Sequence, residues 1–351
     1  MPRRPFTSSA GGGSGNVPLA AGMLLGAAVD ALVGDPRRGH PVAVYGRAVG
    51  AVERRMYRDD RSRGVAFTAL CVGVPVAGGL VLQRLTRDRP VARTLVTAAT
   101  TWAVLGGTTL RRESAAMGAA LEQDDLTAAR ARLPHLAGRD PSVLDVTGLA
   151  RATVESVAEN TSDAVVAPLV WGALAGVPGL LGYRAVNTLD AMVGHRSARY
   201  TNFGWASARL DDLANLVPAR FTAVLTVATA PVVGGSAREA WRIWRRDGRA
   251  HPSPNAGHCE ASAAGALGTR LGGRNVYAGR TEDRPVLGDG PAPSTPEVTR
   301  MARLSGVVAA AALVLTAGHV AARPLRRHLY AAALTRVRAR GETASRRRAV
   351  R

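Results

Sequence analysis

The stretch that decides the fold spans residues 159–220. It reads ENTSD (159–163), then twenty residues without a charge (164–183), then RAVNTLDAMVGHRSARYTNFGWASARLDDLANLVPAR (184–220). Twenty apolar residues in a helix match a hydrocarbon core of about 30 Å. Carboxylates, amides and arginines on both sides of such a segment need water, partners or a ligand. The pattern predicts an active site at a membrane surface.

The apolar part of this stretch has an unusual composition for a simple membrane span. It contains Pro168, Pro178 and four glycines. Prolines and glycines interrupt helices, and irregular backbone is tolerated at membrane depth where protein or a cavity covers it. A straight crossing would also put the two polar flanks on opposite sides. We therefore predict a broken or re-entrant helix that keeps both flanks together.

The fold class predicted from the remaining apolar runs is all-α, a polytopic integral membrane protein with broken or re-entrant segments and polar helical loops. Within these runs, a short or interrupted element is expected at 221–235. Outside them, a flexible turn is expected at LGGRN (271–275), and a Pro/Gly-rich linker follows it to about residue 296. The runs lie at 17–33, 64–83, 94–110, 221–235 and 306–322.

We divide the chain into three parts. Residues 1–16 are expected to be a disordered tail, 17–322 a single membrane-embedded catalytic domain, and 323–351 a basic C-terminal tail. The domain carries a polar helical insertion at about 111–163 and a polar loop region at about 236–305. The first apolar run is predicted to be a retained helix, because no small-residue cleavage site ends it and Asp30 lies inside it.

The arginine distribution predicts the orientation only in part. Arginine-rich stretches after the first apolar run and at the C-terminus both favour the cytoplasm, yet counting every run as a crossing separates them. Runs 164–183 and 221–235 are therefore candidates for re-entrant or interfacial elements. We expect a multi-pass protein of the cell (inner, cytoplasmic) membrane whose active site faces the cytoplasm.

The net charge is +20, from 46 basic and 26 acidic residues, and every basic residue is Arg. The arginines stand in short runs beside apolar segments rather than along one soluble surface, so nucleic acid is not an expected partner. Anionic membrane lipid and anionic substrates fit better. The two cysteines form neither a disulfide framework nor a metal site.

Two oxygen-rich clusters follow the broken segment. Asn187 and Asp190 are three residues apart, and Asp211, Asp212 and Asn215 have a D-D-x-x-N spacing, so each cluster can share one helical face. Hard oxygen ligands in this arrangement suit Mg²⁺, which is held by one or two carboxylates and substrate phosphates. We predict metal ligation by Asp190, Asp211, Asp212 and Asn215, with Asn187 orienting them.

The flanking residues supply candidates for substrate binding and proton transfer. Planar arginine side chains can hold phosphate or carboxylate with two hydrogen bonds, and we assign this role to Arg184, Arg199 and Arg209. The loop GDPRRGHPVAVYG (34–46) places Asp35 and His40 just outside the membrane.

Five ordered motifs carry a resemblance to a known family. They are GDP…HPV (34–42), RATVESVAENTSDAVVAPL from 151, NTLDAMVGH from 187, FGWASARLDDLANLVPAR from 203 and SPNAGHCEASAAGALGTRLGG from 253. Together, over about 30–280, they resemble the CobD/CbiB family of cobalamin biosynthesis. The chain departs from the family pattern at Ala164, His195 and Cys259, where Gly, Tyr and Pro are usual.

The resemblance implies an adenosylcobinamide-phosphate synthase, a ligase that forms C–N bonds. Such an enzyme joins (R)-1-amino-2-propanol O-phosphate, or aminopropanol, to the last free propionate of adenosylcobyric acid through an amide. The implied partners are this corrinoid substrate, aminopropanol phosphate, membrane lipid and other membrane enzymes of the pathway. The motifs add Asp35, Asn160, Asn255 and Glu260 to the candidates for binding substrate or phosphate.

A carboxylate does not condense with an amine in water unless it is activated, so ATP and Mg²⁺ are the expected cofactors. The chain has no G-x-x-x-x-G-K-[ST] motif and no Lys, so any ATP is held in another way. A base must keep the amine unprotonated, and the catalytic candidates are Glu159, Asp163 and His40. Two alternatives stay open: a Mg-dependent membrane phosphotransferase or prenyltransferase, and a non-catalytic corrinoid-binding membrane protein.

Overall fold

A computed structural model describes residues 16–36, 39–195, 197–277 and 280–349. Side chains are described within these ranges except at 275–277, 280–281 and 324–349. The predicted disordered tail therefore lies outside the described residues, apart from Asn16. The side chains of the basic tail beyond Arg323 lie outside them as well.

Helices dominate the described chain, and the predicted all-α class is confirmed. The helices are α1 (Asn16–Val33), α2 (Pro41–Met56), α3 (Arg61–Leu85), α4 (Pro90–Val104), α5 (Gly107–Glu122), α6 (Leu126–Arg132), α7 (Val146–Thr161), α8 (Ala167–Ala175), α9 (Val177–Leu189), α10 (Trp205–Thr229), α11 (Ala237–Asp247), α12 (Ala256–Leu267) and α13 (Thr295–Ala349). The strands are β1 (Leu271–Tyr277) and β2 (Arg280–Leu287).

Four helical stretches are long and apolar enough to cross a membrane, which supports the predicted polytopic architecture. They are Asn16–Val33, Arg61–Leu85, Trp205–Val233 and Thr295–Arg323. Which membrane holds them, and which way the active site faces, remain predictions.

The apolar segment 164–183 is broken, as predicted. A π-helical turn at Ser162–Val166 follows α7, and α8 then ends at Gly176, whose φ of 72° is a left-handed conformation. Beyond Gly176 the chain folds back as α9, close enough that a Cβ on Gly179 would overlap the main-chain oxygen of Trp171. The two helices form a hairpin that returns the chain toward its starting point.

The apolar run 94–110 does not form one helix, because α4 ends at Val104 and α5 begins at Gly107. Between them the N–H of Gly106 donates to the carbonyl of Ala164 at 3.1 Å, outside any helical pattern. A Cβ on Gly107 would lie 2.9 Å from the Val165 side chain. Close contact with the π-helical turn thus interrupts the run.

The short or interrupted element expected at 221–235 is not separate, because it continues the preceding helix and is interrupted only near its end. Helix α10 continues through Pro218 as far as Thr229, and a short 3-10 turn at Ala230–Val233 ends it. Pro218 has no N–H to donate to the carbonyl of Ala214, four residues earlier. The indole N–H of Trp171 donates to that carbonyl instead, at 3.0 Å. A tertiary contact therefore satisfies the group that proline leaves unpaired.

Trp171→Phe is expected to lower the stability of the protein by about 1–3 kcal/mol, because it leaves the Ala214 carbonyl without a donor inside the packed helices. Thermal unfolding of the detergent-solubilised protein measures the change. Trp241→Phe, at an exposed position on α11, is the matched control and should change the midpoint little. Equal midpoints for Trp171→Phe and the unsubstituted protein would show that water replaces the indole.

LGGRN is not a flexible turn, and the expected linker contains a β-hairpin. Strands β1 and β2 pair antiparallel, with Leu271 opposite Leu287 and Gly273 opposite Arg284. Gly272 and Gly273 have φ values of 80° and 81°, and the register shifts beside them. Both leucines are buried. The hairpin is thus anchored in the core and fixes the position of Arg284.

The polar insertion 111–163 is largely helical, as predicted, and its last long helix, α7, begins at Val146. Asp145 caps it by accepting from the N–H of Gly148 at 2.7 Å. Helix α12 begins at Ala256, and Glu260 lies in its interior. Every residue of α12 is buried, and its small side chains allow close packing, since a Cβ on Gly265 would lie 2.6 Å from Cα of Ala240 in α11.

Candidate active site

A cavity of about 720 Å³ lies where the two π-helical turns, α10, the start of α12 and strand β2 meet. The second π-helical turn spans Asp190–Gly194 and directly follows α9. The polar and charged side chains of the lining are Arg61, Glu159, Ser162, Asp163, Asp190, His195, Tyr200, Thr201, Arg209, Asp211, Asp212, Asn215, Ser253, Asn255, Glu282 and Arg284. Parts of the chain that are distant in sequence, from α3 to β2, thus deliver ionisable groups to one cavity.

The two flanks of the broken segment meet in this cavity. The amide of Asn187, at the end of α9, donates to the carboxylate of Asp163, before α8, with 3.4 Å between the nitrogen and Oδ2. The hairpin of α8 and α9 makes this contact possible. The geometric requirement derived from the sequence, that both flanks lie together, is confirmed.

One carboxylate oxygen of Asp211, on α10, accepts a hydrogen bond, and the other has no hydrogen-bond partner among the described residues. The amide nitrogen of Asn215 donates to Oδ2 of Asp211 at 2.9 Å, and the hydroxyl of Tyr183 donates to Oδ1 of Asn215 at 2.8 Å. Oδ1 of Asp211 is buried, and no donor among the described residues meets it at hydrogen-bonding distance. This arrangement suits Asn215 to fixing the Asp211 carboxylate rather than to ligating an ion itself.

Asp190 lies on the second π-helical turn, close to the acids of α10. Burial and the nearby charge of Asp212 raise the pKa of Asp190 to about 6, although His195 acts in the opposite direction. The turn fits tightly around this side chain, because a Cβ on Gly194 would overlap Oδ1 of Asp190. The backbone therefore holds the Asp190 carboxylate in one place.

Glu159 stands at the end of α7 and lines the same cavity. Its burial raises its pKa, Arg284 partly offsets this effect, and the charge of Asp190 adds to it. Like charges raise one another's pKa when they share a site with few counterions. The acids therefore form a cluster whose negative charge a bound cation would stabilise.

The donor set fits Mg²⁺ shared with a substrate phosphate better than a cage of protein ligands. Among the described residues, no group of three or more His, Cys, Asp or Glu side chains is placed to hold a metal ion. Mg²⁺ usually needs only one or two carboxylates and keeps water and phosphate oxygens as its other ligands. The unpaired oxygen of Asp211 and the fixed carboxylate of Asp190 meet that need.

The predicted phosphate-binding arginines lie in different places. Arg209 lines the cavity and pairs with Asp212 at 3.4 Å, and Arg184 donates to Oδ1 of Asn187 at 3.4 Å. Arg199 does not line the cavity. Its guanidinium pairs with Glu53 at 3.1 Å and lies 3.9 Å from the ring centroid of Tyr57. Arg199 thus ties the loop before α10 to α2, which corrects its predicted role.

His40 and Asp35 also lie outside the cavity lining. Nδ1 of His40 accepts from the N–H of Val42 at the start of α2, and Nε2 lies 3.2 Å from Oδ1 of Asp35. Nδ1 of His40 is occupied by this bond and the side chain lies outside the main cavity, so the geometry does not suit His40 to the predicted role of general base. Asp35 is close enough to Arg184 for its charge to act on that guanidinium.

The remaining two predicted amides fix the walls of the site. Asn255 donates to the carbonyl of Asp212 at 2.8 Å and joins the loop before α12 to α10. Asn160 donates to the carbonyl of Ser156 at 2.9 Å. Asn255 lines the main cavity, whereas Asn160 lines a smaller neighbouring one.

The smaller cavity, of about 310 Å³, is called the side chamber here. Glu159, Ser253 and Arg284 line both cavities, and Glu260 lines the side chamber. The full lining of the side chamber is Leu136, Ala137, Gly138, Arg139, Ala152, Glu155, Ser156, Glu159, Asn160, His251, Ser253, Glu260 and Arg284.

Sequence reasoning missed several of these residues. Arg284 lies in the segment expected to be a linker. Its position in the site depends on the β-hairpin, which the sequence did not predict. Arg139 forms an ion pair with Glu155, and Glu155 also accepts from the N–H of Gly272 at 2.6 Å. Glu155 and Glu159 are four residues apart and share one face of α7. The spacing alone does not show that this face is buried. The buried pair joins α7 to the hairpin.

Comparison with known proteins decides the family. The model of the CobD/CbiB protein family matches residues 23–305. The chain belongs to the CobD/CbiB family. Family membership gives it a role in cobalamin biosynthesis and confirms the resemblance carried by the five motifs.

Relatives of this family match most of the chain. The Cobalamin biosynthesis protein CobD of Mycobacterium tuberculosis is 55% identical over 297 residues, which cover 84% of this chain and 94% of the relative. The proteins of the same name from Geobacter metallireducens and Rhodobacter capsulatus are 45% and 40% identical, over 76% and 80% of this chain and 86% and 91% of their own lengths. No solved structure gives a significant match.

Two of the departures from the family pattern lie in the main cavity. His195 lies beside Asp190, with its ring packed edge-on against Tyr200 at 4.9 Å between centroids. Cys259 is buried on α12 and also lines the cavity. The third, Ala164, belongs to the first π-helical turn, where its carbonyl accepts from Gly106.

Proposed function

We propose that this chain is a ligase that forms the amide bond between the last free propionate of adenosylcobyric acid and (R)-1-amino-2-propanol O-phosphate, or aminopropanol, with ATP and Mg²⁺. The product would be adenosylcobinamide phosphate. Family membership supports the pathway. The observation that carries the reaction type is the buried carboxylate of Asp211, which has an unpaired oxygen and lines one cavity together with Asp190, Arg209 and Arg284.

The reaction needs an activated carboxyl group. The propionate oxygen attacks the γ-phosphorus of ATP, ADP leaves, and an acyl phosphate forms. The amine nitrogen then attacks the carbonyl carbon, the C–O bond to phosphate breaks, and inorganic phosphate leaves with that electron pair. The amine loses its proton to a base. Both transfers are promoted mainly by positioning and by neutralisation of phosphate charge.

Asp190 and Asp211 would hold Mg²⁺, which when bound neutralises charge on the phosphate oxygens. Asn215 and Asn187 keep the neighbouring carboxylates in place through their amides. Arg209 and Arg284 line the cavity and can donate to phosphate or carboxylate oxygens. Asp212, held near Arg209, limits how far that guanidinium can move.

Glu159 is the best placed of the three candidate bases. It lines both cavities, and burial raises its pKa toward the range in which a carboxylate accepts a proton efficiently near neutral pH. Asp163 is engaged by Asn187, and His40 lies outside the main cavity with its Nδ1 occupied by a backbone N–H. The proposal therefore assigns proton acceptance to Glu159.

Partners and location follow from this reaction. ATP is a cytoplasmic nucleotide, so the cavity is proposed to open toward the cytoplasm from the cell membrane. A cavity of about 720 Å³ has the size of a small-molecule site, so we infer that the corrin inserts one propionate arm and leaves its ring largely outside. Membrane lipid and other membrane enzymes of the pathway are proposed as further partners.

The test is a defined assay on the purified, full-length protein in detergent or lipid nanodiscs. Adenosylcobyric acid, aminopropanol phosphate and Mg-ATP are supplied, and product mass and ADP release are measured. We expect adenosylcobinamide phosphate and one ADP per amide. Turnover of a lipid diphosphate without corrinoid would favour a membrane phosphotransferase or prenyltransferase. Corrinoid binding without ADP release would favour a non-catalytic corrinoid-binding protein. Either outcome would overturn the proposal.

A further inference from the structure

The side chamber contains a buried carboxylate with one unpartnered oxygen. Glu260 lies in the middle of α12 and is 1% exposed. Its Oε2 has no hydrogen-bond partner among the described residues, and its Oε1 lies 3.8 Å from Nε2 of His251. A buried carboxylate oxygen left unpaired costs free energy that nothing in the packing of α12 recovers. Such a group suggests a ligand.

The charges that line the chamber leave one carboxylate in excess. Glu155, Glu159 and Glu260 supply three carboxylates, whereas Arg139 and Arg284 supply two guanidiniums. His251 adds no positive charge, because burial and the nearby Arg284 lower its pKa, and its Nδ1 accepts from the N–H of Ser253. Burial and the charges of Glu155 and Glu159 raise the pKa of Glu260 despite both arginines.

Size and position also restrict the ligand. A chamber of about 310 Å³ is at the lower limit for small-molecule sites and cannot hold a corrin or a nucleotide. Glu159, Ser253 and Arg284 form the boundary with the main cavity. A molecule in the chamber would therefore lie between Glu260 and this boundary, close enough to react across it.

We propose that the side chamber is the binding site of the small amine substrate, with Glu260 as the partner of its ammonium group. This inference rests on the proposed function, because it names where one of its two organic substrates binds. The ammonium group occupies the single excess carboxylate, and the phosphate of the substrate reaches Arg284 at the boundary. Glu159, at the same boundary, then takes a proton from the ammonium group, and the neutral amine leaves Glu260 and attacks the activated propionate across the boundary.

The decisive variant is Glu260→Gln, which keeps the size of the side chain and removes its charge. Loss of one charge-assisted hydrogen bond is expected to raise the KM for aminopropanol phosphate about 30-fold, with the KM for adenosylcobyric acid changed less than about twofold. Glu297→Gln, on α13 and outside both cavities, is the matched control and should leave both values unchanged. An unchanged KM for the amine in Glu260→Gln would overturn the proposal.

A charge-specific probe separates binding from a general disturbance of the fold. In 1,2-propanediol 2-phosphate a hydroxyl replaces the ammonium group of the substrate. This compound should inhibit the unsubstituted protein competitively, with an inhibition constant about 30-fold above the KM for the amine. In Glu260→Gln this ratio should fall to about threefold or less. Equal weakening of both compounds would indicate structural damage instead and would contradict the role of Glu260.

A second variant fills the chamber without touching a charge. Ala152 on α7 is fully buried and lines the chamber, so Ala152→Leu should raise the KM for the amine about 10-fold, as expected when apolar volume competes with a small substrate. The KM for the corrinoid should be unchanged. A variant that bound the amine normally would contradict this assignment of the chamber.

Direct binding distinguishes failure of this inference from failure of the proposed function. Calorimetry of aminopropanol phosphate with the full-length protein, without corrinoid or ATP, should show binding that Glu260→Gln weakens about 30-fold. If the unsubstituted protein makes no amide but binds the amine in this way, the reaction is wrong and the chamber assignment stands. If it makes the amide and Glu260→Gln binds the amine equally well, only the chamber assignment fails.

Discussion

Asp211→Asn is expected to lower kcat for amide formation about 10³-fold while the protein stays folded. The substitution keeps the size of the side chain and removes the charge from the buried oxygen that has no partner. Asn215 can still hold the remaining oxygen, so the geometry of α10 should persist. The loss should therefore fall on cation and phosphate binding rather than on folding.

The measurement is a Mg²⁺ titration of the initial rate at saturating ATP, corrinoid and amine. We expect the apparent Mg²⁺ affinity to fall together with kcat, because Asp211 is proposed to bind the ion that neutralises phosphate. Asp247→Asn is the matched control. Asp247 is a buried carboxylate that accepts from the N–H of Gly288 at 2.8 Å and lines neither cavity.

Two outcomes of this experiment are informative. A control with normal kcat and an Asp211→Asn protein with a normal melting temperature would assign the loss to the site. Full amide formation by Asp211→Asn, with unchanged Mg²⁺ dependence, would show that Asp211 does not bind the metal ion.

Arg199→Ala should change kcat less than about twofold, because the guanidinium of Arg199 lies outside the cavity and contacts Glu53 and Tyr57.

The meeting of Asp163 and Asn187 could be predicted from the sequence, and its physical reason is local. Two prolines and four glycines in one apolar run make an unbroken helix unfavourable, and charged flanks make a full crossing costly. The structure breaks the run at Gly176 and returns the chain. Local composition was sufficient here because it acts directly on the backbone.

Other features depend on contacts between distant parts of the chain. Pro218 removes one helical N–H from α10, but the indole of Trp171 satisfies the freed carbonyl and the helix continues. The run 94–110 looked unbroken, but Gly106 bonds to the π-helical turn near Ala164. In both cases a partner more than forty residues away in the sequence decides the outcome, and hydropathy does not identify that partner.

The site was predictable as a set of acids but not as two cavities. Spacing placed Asp211 and Asn215 on one helical face, which the hydrogen bond between them bears out. Spacing could not show that Arg284 enters from a β-hairpin, since the strands are short and rich in charge and glycine. Nor could it show that Arg199 turns away to stack on Tyr57. Which side chains lie next to each acid depends on how helices and strands that are distant in the sequence pack together.

Glu159→Gln is expected to lower kcat about 10²–10⁴-fold, the usual contribution of a general base. The glutamine keeps the size of the side chain at the boundary between the two cavities but cannot accept a proton. Substrate binding should change much less than kcat, because Glu260 and the arginines remain. The KM values for amine and corrinoid therefore provide the internal comparison.

The pH profile gives the sign of the effect. Burial raises the pKa of Glu159, so the carboxylate that accepts the proton is present only above this raised pKa, and kcat at saturating Mg²⁺ should rise as pH increases through it. At limiting Mg²⁺ the rate should fall further below about pH 6, where Asp190 takes up its proton and loses its affinity for the cation.

Glu159→Gln should remove the first of these two dependences and keep the second. Its residual kcat at saturating Mg²⁺ should be nearly independent of pH across the range where the unsubstituted protein rises, whereas its Mg²⁺ affinity should still weaken below about pH 6 because Asp190 is intact. If the rise in kcat persisted in Glu159→Gln, another group would be the base. Asp163, held by Asn187 in the same cavity, would then be the next residue to replace.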